Sequence, residues 1–218
     1  MVAAVLICAG SAGAEPTRLD LVWVDPTAMA GGTYDAMAAE SRAALASLGA
    51  DVSWRESAPG DVLGPESLAV IAIPSQVSSS PERHVMGATH AVRDGALAVW
   101  VFPDQVAWAL GLELQMRSSW GSVAERNFAR ALARVASHEV LHTLGLPHAR
   151  GGLMSARLDR QALTRASLRI DRATFATARR ILDRGTVTAS RVSPVAAWRP
   201  GASLVLIPEL LGLPGPVP

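Results

Sequence analysis

Hydrophobic and polar positions alternate along Leu19-Asp20-Leu21-Val22-Trp23-Val24 before the run turns wholly apolar, and this period of two predicts a strand. Gly31-Gly32 interrupts the chain. Thr33 then stands as the cap of a helix predicted from Tyr34 to about Leu48, rich in Ala and ended by Gly49. Asp51-Val52-Ser53-Trp54-Arg55 alternates again. Leu68 to Ile73 is an unbroken apolar run stopped by Pro74, the pattern of a buried strand. Residues 75–84 are polar and Ser-rich and read as a loop. Val85 to Val92 predicts a short edge strand, and Ala96 to Phe102 a further strand stopped by Pro103. Strands separated by a helix argue for an α/β layer built on a mixed sheet.

Beyond Ser122 the period lengthens. Phe128, Leu132, Val135, Leu141 and Leu144 recur at helical spacing. Ser122-Val123-Ala124-Glu125 has the form of a capping box, with Ser122 as N-cap, so a helix is predicted from there to about Leu144. Gly145 and Pro147 supply its stop signal. A further helix is predicted from Arg172 to Asp183, capped by Asp171 and terminated by Gly185. From Thr186 the chain changes character, with Pro at 194, 200, 208, 214, 216 and 218. Ala202 to Leu213 is apolar but broken by Pro208 and Glu209, too short to span a bilayer. It reads as a strap on the domain, with a disordered tail or a membrane or partner anchor as the alternatives. At the other end, residues 2–14 are apolar, then small, and close on Ala12-Gly13-Ala14, which fits a cleaved export signal. The expected organisation is a signal at 1–14, a domain at 15–185 and a tail at 186–218.

Composition narrows the function. The 218 residues carry 20 basic and 19 acidic groups, for a net charge of +1, which lacks the positive field that nucleic-acid binding relies on. Every basic residue is Arg, so chemistry that needs a lysine amine is excluded. Half the residues are hydrophobic and 18% charged, which argues against global disorder. The single cysteine, Cys8, lies inside the predicted signal, and it cannot form an internal disulfide framework or a cysteine-based zinc finger.

The chemistry gathers at the end of the long predicted helix, where residues 138–148 read HEVLHTLGLPH. His138 and His142 are four apart and share one helix face, so both imidazoles can reach one ion. Glu139 projects about a quarter-turn away, beside such an ion rather than on it. Gly145 lets the chain leave the helix in a left-handed conformation and bring His148 back towards the other two. Three neutral His leave a fourth zinc position open, the mark of a catalytic rather than a structural site.

These residues resemble the HExxHxxGxxH signature of the metzincin clan of zinc metallopeptidases. Met154, in Gly151-Gly152-Leu153-Met154-Ser155, stands where that clan has its Met-containing turn. Gly87, Ala88 and Thr89 resemble the edge strand on which matrixin-like members lay their substrate. The resemblance implies an α+β fold: a mixed twisted sheet with an edge strand, two long helices, a zinc helix ending at a Gly turn, and a small C-terminal lobe with one helix. The lobes would divide at about residue 145. It also implies one catalytic Zn²⁺ held by His138, His142 and His148, with Glu139 as general base, acting on peptide or protein substrates outside the cytoplasm. A catalytically silent zinc-binding module of the same fold is the alternative. The chain departs from archaemetzincins, which have Cys residues and a second zinc site after the third His; here Ala149 follows. A second, structural metal at His90 would have only His84 as a further His, and an ordinary edge-strand His is the expectation.

Overall fold

The computed structural model describes residues 18–58, 61–64, 67–75, 85–91, 97–167 and 170–183. The segment read as an export signal, the tail and His84 lie outside these residues. Five strands form one sheet: β1 (Arg18–Val24), β2 (Asp51–Glu56), β3 (Ser67–Ala72), β4 (Gly87–Ala91) and β5 (Leu97–Val101). Their order is β2-β1-β3-β5-β4, with β4 antiparallel at one edge and every other pairing parallel. The helices are α1 (Tyr34–Ala46), α2 (Pro103–Ala109), α3 (Ser122–Thr143), α4 (Arg160–Thr164) and α5 (Arg172–Asp183). This is the α+β arrangement expected, with α1 and α3 as its two long helices.

Alternation along the strands sends Leu21, Trp23, Val52, Trp54, Val70, Val99 and Val101 into one core with Met37 and Leu45 of α1 and Phe128, Leu132 and Val135 of α3. Each large side chain so buried contributes about 1.5–3 kcal/mol. Helix α1 packs on α3, and α3 in turn lies on β4 and β5. Ala129, Ala131, Ala133 and Ala136 keep the surface of α3 low, so its neighbours approach closely.

Helix α3 is buried almost all round from Phe128 to Leu141, and four of the enclosed residues are polar: Arg134, Ser137, His138 and Glu139. A buried polar group must find a partner or cost several kcal/mol, of order 2–7 for an uncompensated one. Ser137 meets the hydroxyl of Ser41 on α1 at 2.8 Å. Arg134 donates to the carbonyls of Ala162 and Arg165 at the end of α4. The partners of His138 and Glu139 build the site described below.

Four local expectations differ from the structure. Ser122 and Glu125 do not form a capping box: Gly121 is the N-cap, no side chain caps the helix, and Glu125 instead pairs with Arg117 at 2.9 Å. The forked guanidinium offers that carboxylate two charge-assisted hydrogen bonds, which outcompete a single backbone N–H. Pro103 does not merely stop β5; it opens α2 at the first helical position, where its missing N–H costs nothing. Thr33 is the N-cap of α1, but its hydroxyl donates to the Ala30 carbonyl rather than accepting from the helix. The segment after residue 145 holds two helices, α4 and α5, rather than one. Asp159 caps α4 through the Ala162 N–H at 2.7 Å, and Asp171 caps α5 through the Thr174 N–H at 3.0 Å.

Candidate metal centre

The end of α3 fixes the geometry. Gly145 adopts φ +79°, a conformation that costs an L side chain roughly 1–2 kcal/mol. Around it the Gly145 N–H donates to the His142 carbonyl at 2.9 Å and the Leu146 N–H to the Leu141 carbonyl at 3.2 Å. This pair of bonds is a Schellman motif, closed by the buried side chain of Leu146. The reversal carries the chain back along the helix. A loop from Ala149 to Ser155 then closes on itself, with the Ala149 N–H donating to the Met154 carbonyl at 2.7 Å.

Both turns supply carbonyls to the histidines. His142 Nδ1 donates to the Leu146 carbonyl at 2.7 Å, and His138 Nδ1 donates to the Leu153 carbonyl at 2.7 Å. A carbonyl can only accept, so Nδ1 carries the proton in each ring and Nε2 keeps its lone pair. The two Nε2 atoms face each other 3.0 Å apart. Two lone pairs with no hydrogen between them repel unless a cation lies against both, and two nitrogens on one tetrahedral zinc at ~2.0–2.1 Å stand ~3.3 Å apart. His148 completes the set: one ligand nitrogen from each of the three rings lies within 4.8 Å of the others. The donor set, the tautomers of His138 and His142 and the separation all fit zinc, and these two rings are oriented as metal-binding His commonly are, through a bond from the second nitrogen. Among the described residues this is the grouping that can hold a metal.

Electrostatics prepares the same state. Burial pushes His138 down to about 4, opposed by the Leu153 bond and reinforced by His142 and His148. His148 is lowered as well, by burial and then by His142. Both rings are therefore neutral, as a metal ligand must be.

Glu139 is 8% exposed and sits against the edge strand. Its carboxylate Oε2 accepts from the Thr89 hydroxyl at 3.1 Å. Burial pushes the carboxyl up to about 7, against the opposing effect of that hydrogen bond. Met154 is fully buried at the end of a 3-10 turn (Gly152–Met154), next in the chain to the Leu153 that orients His138. On β4, Gly87 and Thr89 face α3. Ala88 and His90 alternate to the opposite face, where His90 stacks on Trp100 with ring centroids 3.8 Å apart. The edge strand thus points His90 away from the histidine triad. The orienting carbonyls of Leu146 and Leu153 leave no trace in a sequence. Thr89 does leave one, as a polar residue on the inward-facing register of an edge strand.

No protein-family model and no curated protein matches the sequence. Among solved structures the chain is similar to the crystal structure of archaemetzincin from Methanopyrus kandleri. The TM-score is 0.50 and the identity 15%, over 82% of this chain and 100% of that one. The likeness is one of fold: the mixed sheet, its edge strand and the helices packed on it follow an archaemetzincin-like arrangement.

Proposed function

We propose that this chain is an exported zinc-dependent endopeptidase with one catalytic ion, held by His138, His142 and His148. The observation that carries the reading is the convergence of the three ring nitrogens within 4.8 Å, with the next residue after His138 a buried carboxyl. The archaemetzincin-like fold supports it. Zinc, when bound, supplies a Lewis acid that makes water nucleophilic near neutral pH and polarises a carbonyl.

The chain's own residues do the rest. Glu139 accepts a proton from the attacking water as its oxygen bonds to the peptide carbonyl carbon, and returns that proton to the amine as the C–N bond breaks. In the metal-free chain burial already raises this carboxyl to about 7, which favours its taking up a proton. His138 and His142 keep their ring planes through the Leu153 and Leu146 carbonyls. Strand β4 is the sheet edge nearest α3, and among the described residues no strand pairs with its outer side, where an extended peptide would add as a further strand. A pure zinc-binding module has no use for a base beside the ligands, so the buried Glu139 favours the enzyme.

The test is Glu139→Ala in zinc-loaded protein, assayed on a quenched peptide library. Zinc content should match the wild type while cleavage falls by about 100-fold or more. A Glu139→Ala variant that cleaves at the wild-type rate ends this mechanism. Wild-type protein that holds zinc but cleaves nothing supports the binding module instead.

A further inference from the structure

Position 87 decides how closely the edge strand can approach α3. A Cβ there would come within 2.8 Å of Val135 Cγ1, 2.9 Å of Glu139 Cγ and 3.0 Å of the Trp100 carbonyl oxygen. Only glycine fits, so strand and helix touch directly at the methylene of Glu139. Two residues on, the same inward register delivers Thr89. Its hydroxyl lies 3.1 Å from Glu139 Oε2 and 3.0 Å from the backbone carbonyl of the same residue. Among the described residues no other side chain hydrogen-bonds that carboxylate. Glu139 is therefore held from two sides, by the close approach at Gly87 and by the hydroxyl of Thr89. A buried carboxyl with a single partner takes its rotamer from that partner.

We infer that Thr89 is a positioning residue for Glu139: it ties one carboxylate oxygen to the edge strand and leaves the other to exchange a proton with the reacting water. This rests on the reading of Glu139 as the base. It also links the strand that would receive the peptide to the group that would act on it, because Gly87 and Thr89 belong to the same five-residue strand. The β-branched Thr is suited to this task, since its χ1 is restricted and its hydroxyl direction follows from the strand.

The experiment compares Thr89→Val and Thr89→Ser in the full chain. Val keeps the shape and removes the hydroxyl; Ser keeps the hydroxyl. In zinc-loaded protein Thr89→Val should lower kcat about tenfold to a hundredfold with KM within about twofold, since a misplaced catalytic group costs on that scale. Zinc content should stay at the wild-type value. Thr89→Ser should restore kcat to within about threefold of wild type. In metal-free protein, the urea midpoints of Thr89→Val, Glu139→Gln and the double variant should fail to add, because the two side chains share one bond. Wild-type kcat in Thr89→Val, equal losses in Val and Ser, or additive midpoints would each overturn the inference. If the wild type cleaves no peptide, the endopeptidase reading fails on its own, and additivity of the midpoints decides whether Thr89 holds Glu139.

Discussion

His138 and Glu139 are chain neighbours, and burial drives them in opposite directions, one down to about 4 and the other up to about 7. The consequences for stability have opposite signs. Between about pH 4 and 6.5 the unfolded chain binds a proton at position 138 that the folded chain refuses, so this group adds stability as pH rises. Between about pH 4.5 and 7 the folded chain keeps a proton at Glu139 that the unfolded chain has lost, so this group removes stability as pH rises. Replacing Glu139 by Gln removes the second effect and leaves the first. In metal-free protein, Glu139→Gln should match the wild type below about pH 4.5 and become more stable by about 3 kcal/mol above pH 7. Urea unfolding from pH 4 to 8 measures the difference, and a gap that does not change with pH would contradict the burial of Glu139. At this scale the histidine triad was legible because helical spacing is rigid and a Gly marks where the chain leaves the helix. The grip of Thr89 on Glu139 was not legible, because no local pattern sets which residue of an edge strand lies over which turn of a helix.

At the scale of elements, α3 organises the molecule through its buried polar residues as much as its apolar ones. Arg134 is 5% exposed and reaches the carbonyls of Ala162 and Arg165, while Arg130 donates to the Thr164 carbonyl at 3.1 Å and pairs with Glu40 at 2.8 Å. Two guanidinium groups thus collect the carbonyls at the C-terminal end of α4, where a helix favours cations. Burial lowers Arg134 to about 10, so it stays charged at neutral pH. Arg134→Met keeps most of the stem but removes the charged donor from two carbonyls, one on half-buried Ala162 and one on exposed Arg165, and it should cost about 1–2 kcal/mol in urea unfolding. A loss below ~0.5 kcal/mol would mean that these carbonyls find other partners. The sequence hid this arrangement. Arg134 falls among alanines on a helix, with nothing local to mark it as buried, and α4 is too short to show a period. Pro103 misled for a related reason: the same ring that ends a strand also suits the first turn of a helix, and only the residues after it decide. Ser122-x-x-Glu125 satisfied a pattern whose carboxylate had a stronger partner eight residues back, in Arg117.

For the whole molecule, the order of the five strands and of α1, α3 and α5 could be read from period and punctuation, since each apolar run had a Pro or Gly to bound it. The parallel crossings then follow from helices and loops long enough to return the chain to the same end of the sheet. The segment after Gly145 joins the sheet and α3 through the shared apolar core, by Leu146, Leu153, Met154, Leu163 and Leu182, and through the histidines as well. Ligands His138 and His142 come from the helix, and His148 comes from the return turn, so an ion at the triad would clamp one to the other. The clamp does not act alone, because the Leu146 and Leu153 carbonyls already hold the turn to the helix through the rings of His142 and His138. The metal-free chain should therefore fold, with zinc adding stability by mass action. At a free zinc concentration of about 100 times Kd the gain is about 2.7 kcal/mol. For a domain of this size that raises Tm by roughly 5–10 °C. Melts in zinc and in chelator measure it directly. The rise should vanish in a His138→Ala/His142→Ala variant and shrink in His148→Ala, which keeps the helical pair but loses the clamp. An equal rise in all three proteins would place the ion elsewhere, and no rise in the wild type would remove the metal centre itself.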